Sequence, residues 1–224
     1  MTSLDSMYSL YKAVEYVTKS NIQGDIVECG VWRGGSSMLM AKTLSFFGDN
    51  NRKIYLYDTF VGMPKPDERD VKIRTNTSGT DIWEEKQKTG GWAVAGEDEV
   101  RKNLENTTYP KENFVFVKGK VEETIPGVKP QKISILRLDT DWFSSTYHEL
   151  THLYPLLNKG GILIIDDYGS WSGSKEATDK YFSENNIKMY LHRVDTGRVG
   201  IKYYVLFLIT TTYITDIHGK NLSK

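Results

Sequence analysis

Four aspartates carry most of the chemistry this sequence offers. Asp139 and Asp141 follow one apolar run, and Asp166 and Asp167 close another. If the two runs are adjacent parallel strands, their ends lie about 5 Å apart and the carboxylates share one rim. Carboxylates crowded in that way repel and raise one another's pKa. A hard divalent cation removes the conflict, and Mg²⁺ needs few carboxylates because water fills its remaining sites. Taken singly, Asp141 also reads as a residue near a helix N-cap, and Asp167 as the first residue of a turn through Ser170. Asp139 and Asp166, each ending an apolar strand, have no such simple alternative.

A second constellation lies upstream in Val27-Glu-Cys-Gly30-Val31-Trp-Arg-Gly34-Gly35-Ser36-Ser37. An apolar run ends at a glycine, and a glycine-rich turn opens a helix, so backbone N–H groups can approach a nucleotide-like ligand closely. The spacing is neither the Gly-x-Gly-x-x-Gly of dinucleotide binders nor a P-loop. Glu28 would repel a pyrophosphate but suits a cationic or amino-bearing ligand such as S-adenosylmethionine. A plain strand-to-helix turn with a surface glutamate is the other reading. Asp58 ends the next strand, where an acid can bind both ribose hydroxyls of a nucleoside. The methyl-donor set is therefore expected to comprise Glu28, Gly30, Val31, Gly34, Gly35, Ser36, Ser37, Asp58, Thr59, Gly119, Lys120, Val121 and Asp139, with Gly119 and Lys120 beside the adenine.

Weaker patterns point elsewhere. His148 and His152 stand four apart around Glu149, a zinc-protease spacing that still needs a third ligand; the alternative is a half-exposed helix behind the acidic rim. Ser144 and Ser145 lack the Gly-x-Ser-x-Gly elbow of serine hydrolases. Cys29 reads as a small buried residue.

The elements that must position these groups alternate between apolar runs and helical patterns, as in a mainly parallel α/β sheet. Met7, Leu10, Tyr11, Val14 and Val17 recur at helical spacing. Strands are expected at residues 25–29, 53–58, 113–118, 132–139 and 162–166, with two more near 187–194 and 199–208. Helices are expected after Gly35, over about 145–157 with Gly160-Gly161 as its C-cap, and over about 175–183. Residues 64–98 are polar and aperiodic, carrying Trp83 and Trp92. A connection of that length is commonly a lid or acceptor loop, or else a solvated loop. The two tryptophans favour the lid, since aromatic side chains are wasted in a wholly solvated loop.

The chain has 224 residues, enough for one domain with a single core. Its 29 basic and 29 acidic residues balance to zero, which argues against nucleic-acid binding by bulk charge. One cysteine permits no internal disulfide and suits a reducing, cytoplasmic compartment. No apolar stretch is long enough to span a membrane. Residues 203–224 form an apolar, Thr-rich tail of unassigned role.

Four segments, Asp25-Ile-Val-Glu-Cys-Gly-Val-Trp-Arg-Gly-Gly-Ser36, Tyr57-Asp-Thr-Phe-Val-Gly-Met-Pro64, Leu136-Arg-Leu-Asp-Thr-Asp141 and Gly161-Ile-Leu-Ile-Ile-Asp-Asp-Tyr-Gly169, occur in order at compatible spacing. They resemble signatures of the macrocin O-methyltransferase family, which includes mycinamicin and novobiocin sugar O-methyltransferases. The resemblance spans residues 4–202. It implies a Rossmann-like class I methyltransferase fold: a mostly parallel seven-stranded sheet, a C-terminal antiparallel hairpin, and helices on both faces. It also implies Mg²⁺ dependence and methylation of a sugar hydroxyl, as in natural-product biosynthesis. By position, Asp139 is a metal ligand and the general base, and Asp166 and Asp167 complete the protein's metal ligands. The chain departs from the family at Thr140, where glycine is usual, and at Phe143-Ser144, where Tyr-Glu is frequent. Those positions face the acceptor side. The rival readings are methylation of a small phenol or catechol, and a non-catalytic nucleotide-sensing module. A homo-oligomer is compatible with all three.

Overall fold

The computed structural model describes residues 2–203. In chain order the elements are α1 (Leu4–Lys19), β1 (Asp25–Cys29), α2 (Gly35–Phe46), β2 (Ile54–Asp58), the short strands β3 (Val71–Lys72) and β4 (Thr77–Ser78), α3 (Gly79–Lys88) and α4 (Glu97–Glu105). There follow β5 (Phe114–Lys118), the single turn α5 (Val121–Thr124), β6 (Ile133–Leu138), α6 (Phe143–Leu153), β7 (Leu157–Ile165), α7 (Ser172–Glu184), β8 (His192–Val194) and β9 (Gly197–Ile201). Seven strands make one sheet in the order β5-β2-β1-β6-β7-β9-β8. The first five in that order run parallel, and β9 returns antiparallel between β7 and β8. The expected seven-stranded sheet with a terminal hairpin is present.

Side-chain alternation along the strands feeds two cores. Ile26, Ile54, Leu56, Ile135, Ile162 and Ile164 pack against Leu10 and Val14 of α1, Met40 and Leu44 of α2, and Val100 and Leu104 of α4. Val27, Tyr57, Leu136, Leu138, Leu163 and Ile165 pack on the other face against Val121 of α5, Leu150 and Leu153 of α6, and Tyr181 of α7. No helix among the described residues is long and apolar enough to cross a membrane.

Several sequence expectations need correction. The helix expected over 145–157 ends at Leu153, passes through a 3₁₀ turn at Tyr154–Leu156, and gives way to β7 at Leu157. Pro155 has no N–H to continue the helix. Gly160 and Gly161 lie within β7, where the Gly160 N–H donates to the Lys202 carbonyl at 2.7 Å, so they cap no helix. The strand expected at 187–194 is confined to His192–Val194. Ile187, Met189 and Leu191 instead pack as side chains on the α7 face. The last strand begins at Gly197 and ends at Ile201; its expected continuation to 208, and the tail, lie beyond the described residues.

The aperiodic segment 64–98 has structure of its own: the β3–β4 hairpin and α3, with α4 starting at Glu97. Ser78 accepts from the Asp81 N–H at the start of α3, and Lys86 and Lys88 occupy its last turn. Both are ordinary helix-end chemistry. Glu97, Asp98 and Glu99 fill the first turn of α4 in the same sense.

Candidate active site

Parallel pairing in register brings the strand ends to one edge. Cys29 stands opposite Tyr57 and Leu138, and Leu138 opposite Ile165. Past those residues the Asp139 N–H donates to the Cys29 carbonyl and the Asp166 N–H to the Leu138 carbonyl, each at 2.9 Å. Gly30 turns away with φ of +83°, and a Cβ there would lie 1.9 Å from the Asp139 carbonyl oxygen. No side chain fits between the ends of β1 and β6 at that point.

Asp139, Asp166 and Asp167 each offer a carboxylate oxygen within 4.8 Å of the others, and no comparable His/Cys/Asp/Glu group occurs among the described residues. Burial and the neighbouring Asp139 push Asp166 up to about 6. Burial, then Asp141, pushes Asp167 well above the usual carboxylate range. This donor set suits a hard divalent cation, because hard oxygen ligands converge and one guanidinium, Arg137, offsets only part of their negative charge.

Asp141 is not a helix cap. It takes a left-handed conformation, φ of 65°, and its N–H donates to Asp167 Oδ2 at 3.2 Å. Burial pushes its carboxyl up to about 7. The first turn of α6 is capped from elsewhere: Asp70, ahead of β3, accepts the Phe143 N–H on Oδ1 at 2.8 Å. Asp70 comes so near α7 that a Cβ at Gly173 would lie 1.8 Å from its Oδ1.

The residue missed by sequence reasoning is Arg137. Its side chain is 3% exposed, yet it donates to Glu28 Oε1 at 2.9 Å, Asp139 Oδ2 at 2.6 Å and Asp166 Oδ1 at 2.8 Å. Glu28 is directly opposite it in the β1–β6 register. A lone arginine inside an apolar strand was the available signal, since a buried guanidinium must find carboxylates. Glu28 itself is buried, its second oxygen taking the Ser37 hydroxyl, and burial raises it to about 7 against the pull of Arg137. It is no surface glutamate.

Asp58 organises the glycine turn: Oδ2 accepts from the Val31 and Trp32 N–H groups at 2.7 and 2.9 Å, and Oδ1 from Phe60 N–H at 2.7 Å. It lines a cleft of about 750 Å³ together with Gly30, Thr59, Gly119, Lys120, Val121, Asp139, Asp141, Asp166 and Asp167. Glu28, Val31, Gly34, Gly35, Ser36 and Ser37 stand outside that lining, on the strand, turn and helix that support it.

The opposite wall comes from the long segment. Pro64, Lys65 and Trp92 line the cleft. Trp92, Trp142 and Trp171 pack edge-on or tilted with ring centres 5.0 to 5.8 Å apart, and the Trp142 indole N–H donates to the Pro64 carbonyl at 3.0 Å. Trp83 ties in similarly, donating to the Met63 carbonyl at 2.8 Å. The segment is thus pinned by its aromatics.

The rival constellations do not assemble. Glu149 turns inward and accepts the Thr140 hydroxyl at 2.9 and 3.1 Å, away from the adjacent His148 and His152 rings. Cys29 is buried, and burial pushes its thiol well up, as for an inert structural cysteine.

Sheet order, terminal hairpin and the acid-lined cleft at the strand ends define a class I methyltransferase. Residues 1–203 match the family model for Macrocin-O-methyltransferase (TylF), and the chain belongs to that family; it is an O-methyltransferase. It is 32% identical over 203 residues to the demethyldecarbamoylnovobiocin O-methyltransferase of Streptomyces niveus, covering 89% of this chain and 73% of that one. It is 31% identical to the 8-demethyl-8-(2,3-dimethoxy-α-L-rhamnosyl)-tetracenomycin-C 4'-O-methyltransferase of Streptomyces olivaceus, covering 87% and 72%. The solved structure of the O-methyltransferase NovP superposes with a TM-score of 0.78 at 29% identity, over 90% of this chain and 81% of that one.

Proposed function

We propose that this enzyme methylates a hydroxyl of a sugar or glycosylated metabolite, taking the methyl group from S-adenosylmethionine, with Mg²⁺ held by Asp139, Asp166 and Asp167. The observation that carries the reading is the convergence of those three carboxylates within 4.8 Å at the end of a cleft of about 750 Å³. A bound divalent cation would lower the pKa of a hydroxyl beside it, and S-adenosylmethionine would supply the electrophilic methyl group.

The chain's own residues do the rest. Asp58 holds the turn after β1 open; the Val31 and Trp32 N–H groups take both lone pairs of its Oδ2, so Oδ1 is the oxygen through which it would meet the ribose. Gly119, Lys120 and Val121 lie along the same wall, where the adenine would rest. The proton of the acceptor hydroxyl must go to a carboxylate at the rim. Asp139 is one candidate, as its position in the family motif implies. Its Oδ2 is already engaged by Arg137, whereas Asp141 also lines the cleft and has no arginine partner, which favours it as the alternative base. The acceptor side carries polar groups, Lys65, Ser144, Ser170 and Thr196, and a relative's acceptor is a rhamnosyl compound by name; both support a sugar over a catechol. The single buried thiol is consistent with a cytoplasmic enzyme.

Methyl transfer from labelled S-adenosylmethionine, measured on panels of glycosides and catechols with and without excess EDTA, tests this reading. Turnover of glycosides that collapses in EDTA and returns with Mg²⁺ is expected. Undiminished turnover in EDTA overturns the metal. Turnover of aromatic diols alone overturns the sugar. Donor binding with no turnover on any acceptor would favour a sensing module.

A further inference from the structure

Arg137 takes no part in the chemistry outlined above, yet the surrounding charges are arranged around it. It lies on β6 between the buried Leu136 and Leu138, and its own side chain is 3% exposed. A guanidinium there carries a heavy desolvation cost unless its donors meet matched acceptors. They do, on three strands at once: Glu28 from β1 at 2.9 Å, Asp139 past β6 at 2.6 Å, and Asp166 past β7 at 2.8 Å. Strand alternation explains the meeting. Glu28, Arg137 and Ile164 are register neighbours across the three strands, and Ile26, Ile135 and Ile164, on the same face, pack toward α1 and α2.

Glu28 extends the chain of contacts. Its other oxygen accepts the Ser37 hydroxyl, in the first turn of α2, shortly after the turn whose Gly30 and Trp32 line the cleft. One planar cation therefore links two of the three rim carboxylates to the helix that carries the methyl-donor turn. A cation at the rim fixes Asp139 and Asp166; their bonds fix the guanidinium, and through Glu28 and Ser37 the start of α2. Once one ligand has ordered this network, the second has less ordering to do.

We infer that Arg137 is a positioning residue that couples the two sites, so that a bound donor tightens the rim's hold on Mg²⁺ and Mg²⁺ tightens donor binding by the same factor. The inference rests on the reading of the rim as a metal site. Lysine would not substitute for it, because an ammonium is a point donor without the planar fork that spans three carboxylates.

Calorimetric titration of the intact chain with Mg²⁺ alone, with S-adenosylhomocysteine alone, and with each in the presence of the other tests the coupling. The wild type is expected to show about tenfold tightening, equal in both directions, as linkage requires. In Arg137→Lys the factor should fall to about one. Ser37→Ala cuts the link on the donor side without touching the rim; there the factor should also fall while the affinity for Mg²⁺ alone is unchanged. Wild-type coupling retained in Arg137→Lys or in Ser37→Ala overturns the inference, as does Mg²⁺ binding to the wild type with no coupling. Failure of Mg²⁺ to bind the wild type at all overturns the metal reading as well, so the two failures are distinguishable.

Discussion

Asp139 and Asp166 leave the ends of strands that are buried along their final turns, whereas the wall facing them depends on three packed tryptophans and one aspartate reaching across 73 residues. The rim inherits its geometry from backbone register: once β1, β6 and β7 pair, the carboxylates have nowhere else to go. The wall inherits its geometry mainly from side chains, helped by isolated backbone bonds such as Met63 N–H to the Trp92 carbonyl and Ile73 N–H to the Ser170 carbonyl, each at 2.9 Å. Substitutions at the rim should therefore damage chemistry more than folding, and substitutions in the wall should damage folding and acceptor fit together.

The sharpest break between the two should come from Asp167→Asn. Asp167 is buried and among like charges, with burial and Asp141 opposing its ionisation. Removing its charge relieves repulsion, so the midpoint of thermal unfolding should hold or rise. Loss of a metal ligand should meanwhile lower turnover by about 10³, equivalent to about 4 kcal/mol of barrier. A variant that lost stability and kept its turnover would show that the rim is structural.

Trp142→Ala tests the other half. Trp142 is 2% exposed, packs on Trp92 and Trp171, and bonds the Pro64 carbonyl. Truncating a buried aromatic of this kind costs about 3–5 kcal/mol, and urea denaturation should read that loss. Trp142→Phe keeps the packing without the indole N–H, and should lose less. If Trp142→Ala unfolds at wild-type urea, the tryptophans do not hold the wall.

The same contrast decides what was legible in the sequence. Strands β1, β2, β5, β6 and β7 show as apolar runs, and the acids at their ends are visible because a charge after such a run marks the edge of the sheet. Glu28 was legible as a residue but not as a buried one, since its partner Arg137 lies 109 residues away and only the strand order brings them opposite. Residues 64–98 carried local helix-end signals at Ser78 and Glu97, but their tertiary fixings, Asp70 on Phe143 and Trp142 on Pro64, obey no period. The Gly160-Gly161 reading failed because Pro155 had already stopped α6, leaving the glycines to a strand.

Asp70 offers the smallest and most discriminating test. It is 1% exposed. Oδ1 accepts the Phe143 N–H at 2.8 Å and Oδ2 the Asp67 N–H at 2.9 Å. Asp70→Ala removes both acceptors and should cost about 1–2 kcal/mol, the range for a lost helix cap. Asp70→Asn keeps an oxygen for Phe143 but turns an NH₂ toward Asp67, so it should cost less than alanine. The pH dependence separates charge from geometry. Burial outweighs the two N–H bonds and raises the Asp70 carboxyl above its ordinary 3.8. A raised folded value means that the protonated form favours the fold: the contribution is fully present below the unfolded value and is lost as pH rises through the folded one. Asparagine does not titrate. The stability gap between wild type and Asp70→Asn should therefore narrow as pH climbs through that window, and a gap that widens instead would mean that the ionised carboxylate is the better cap.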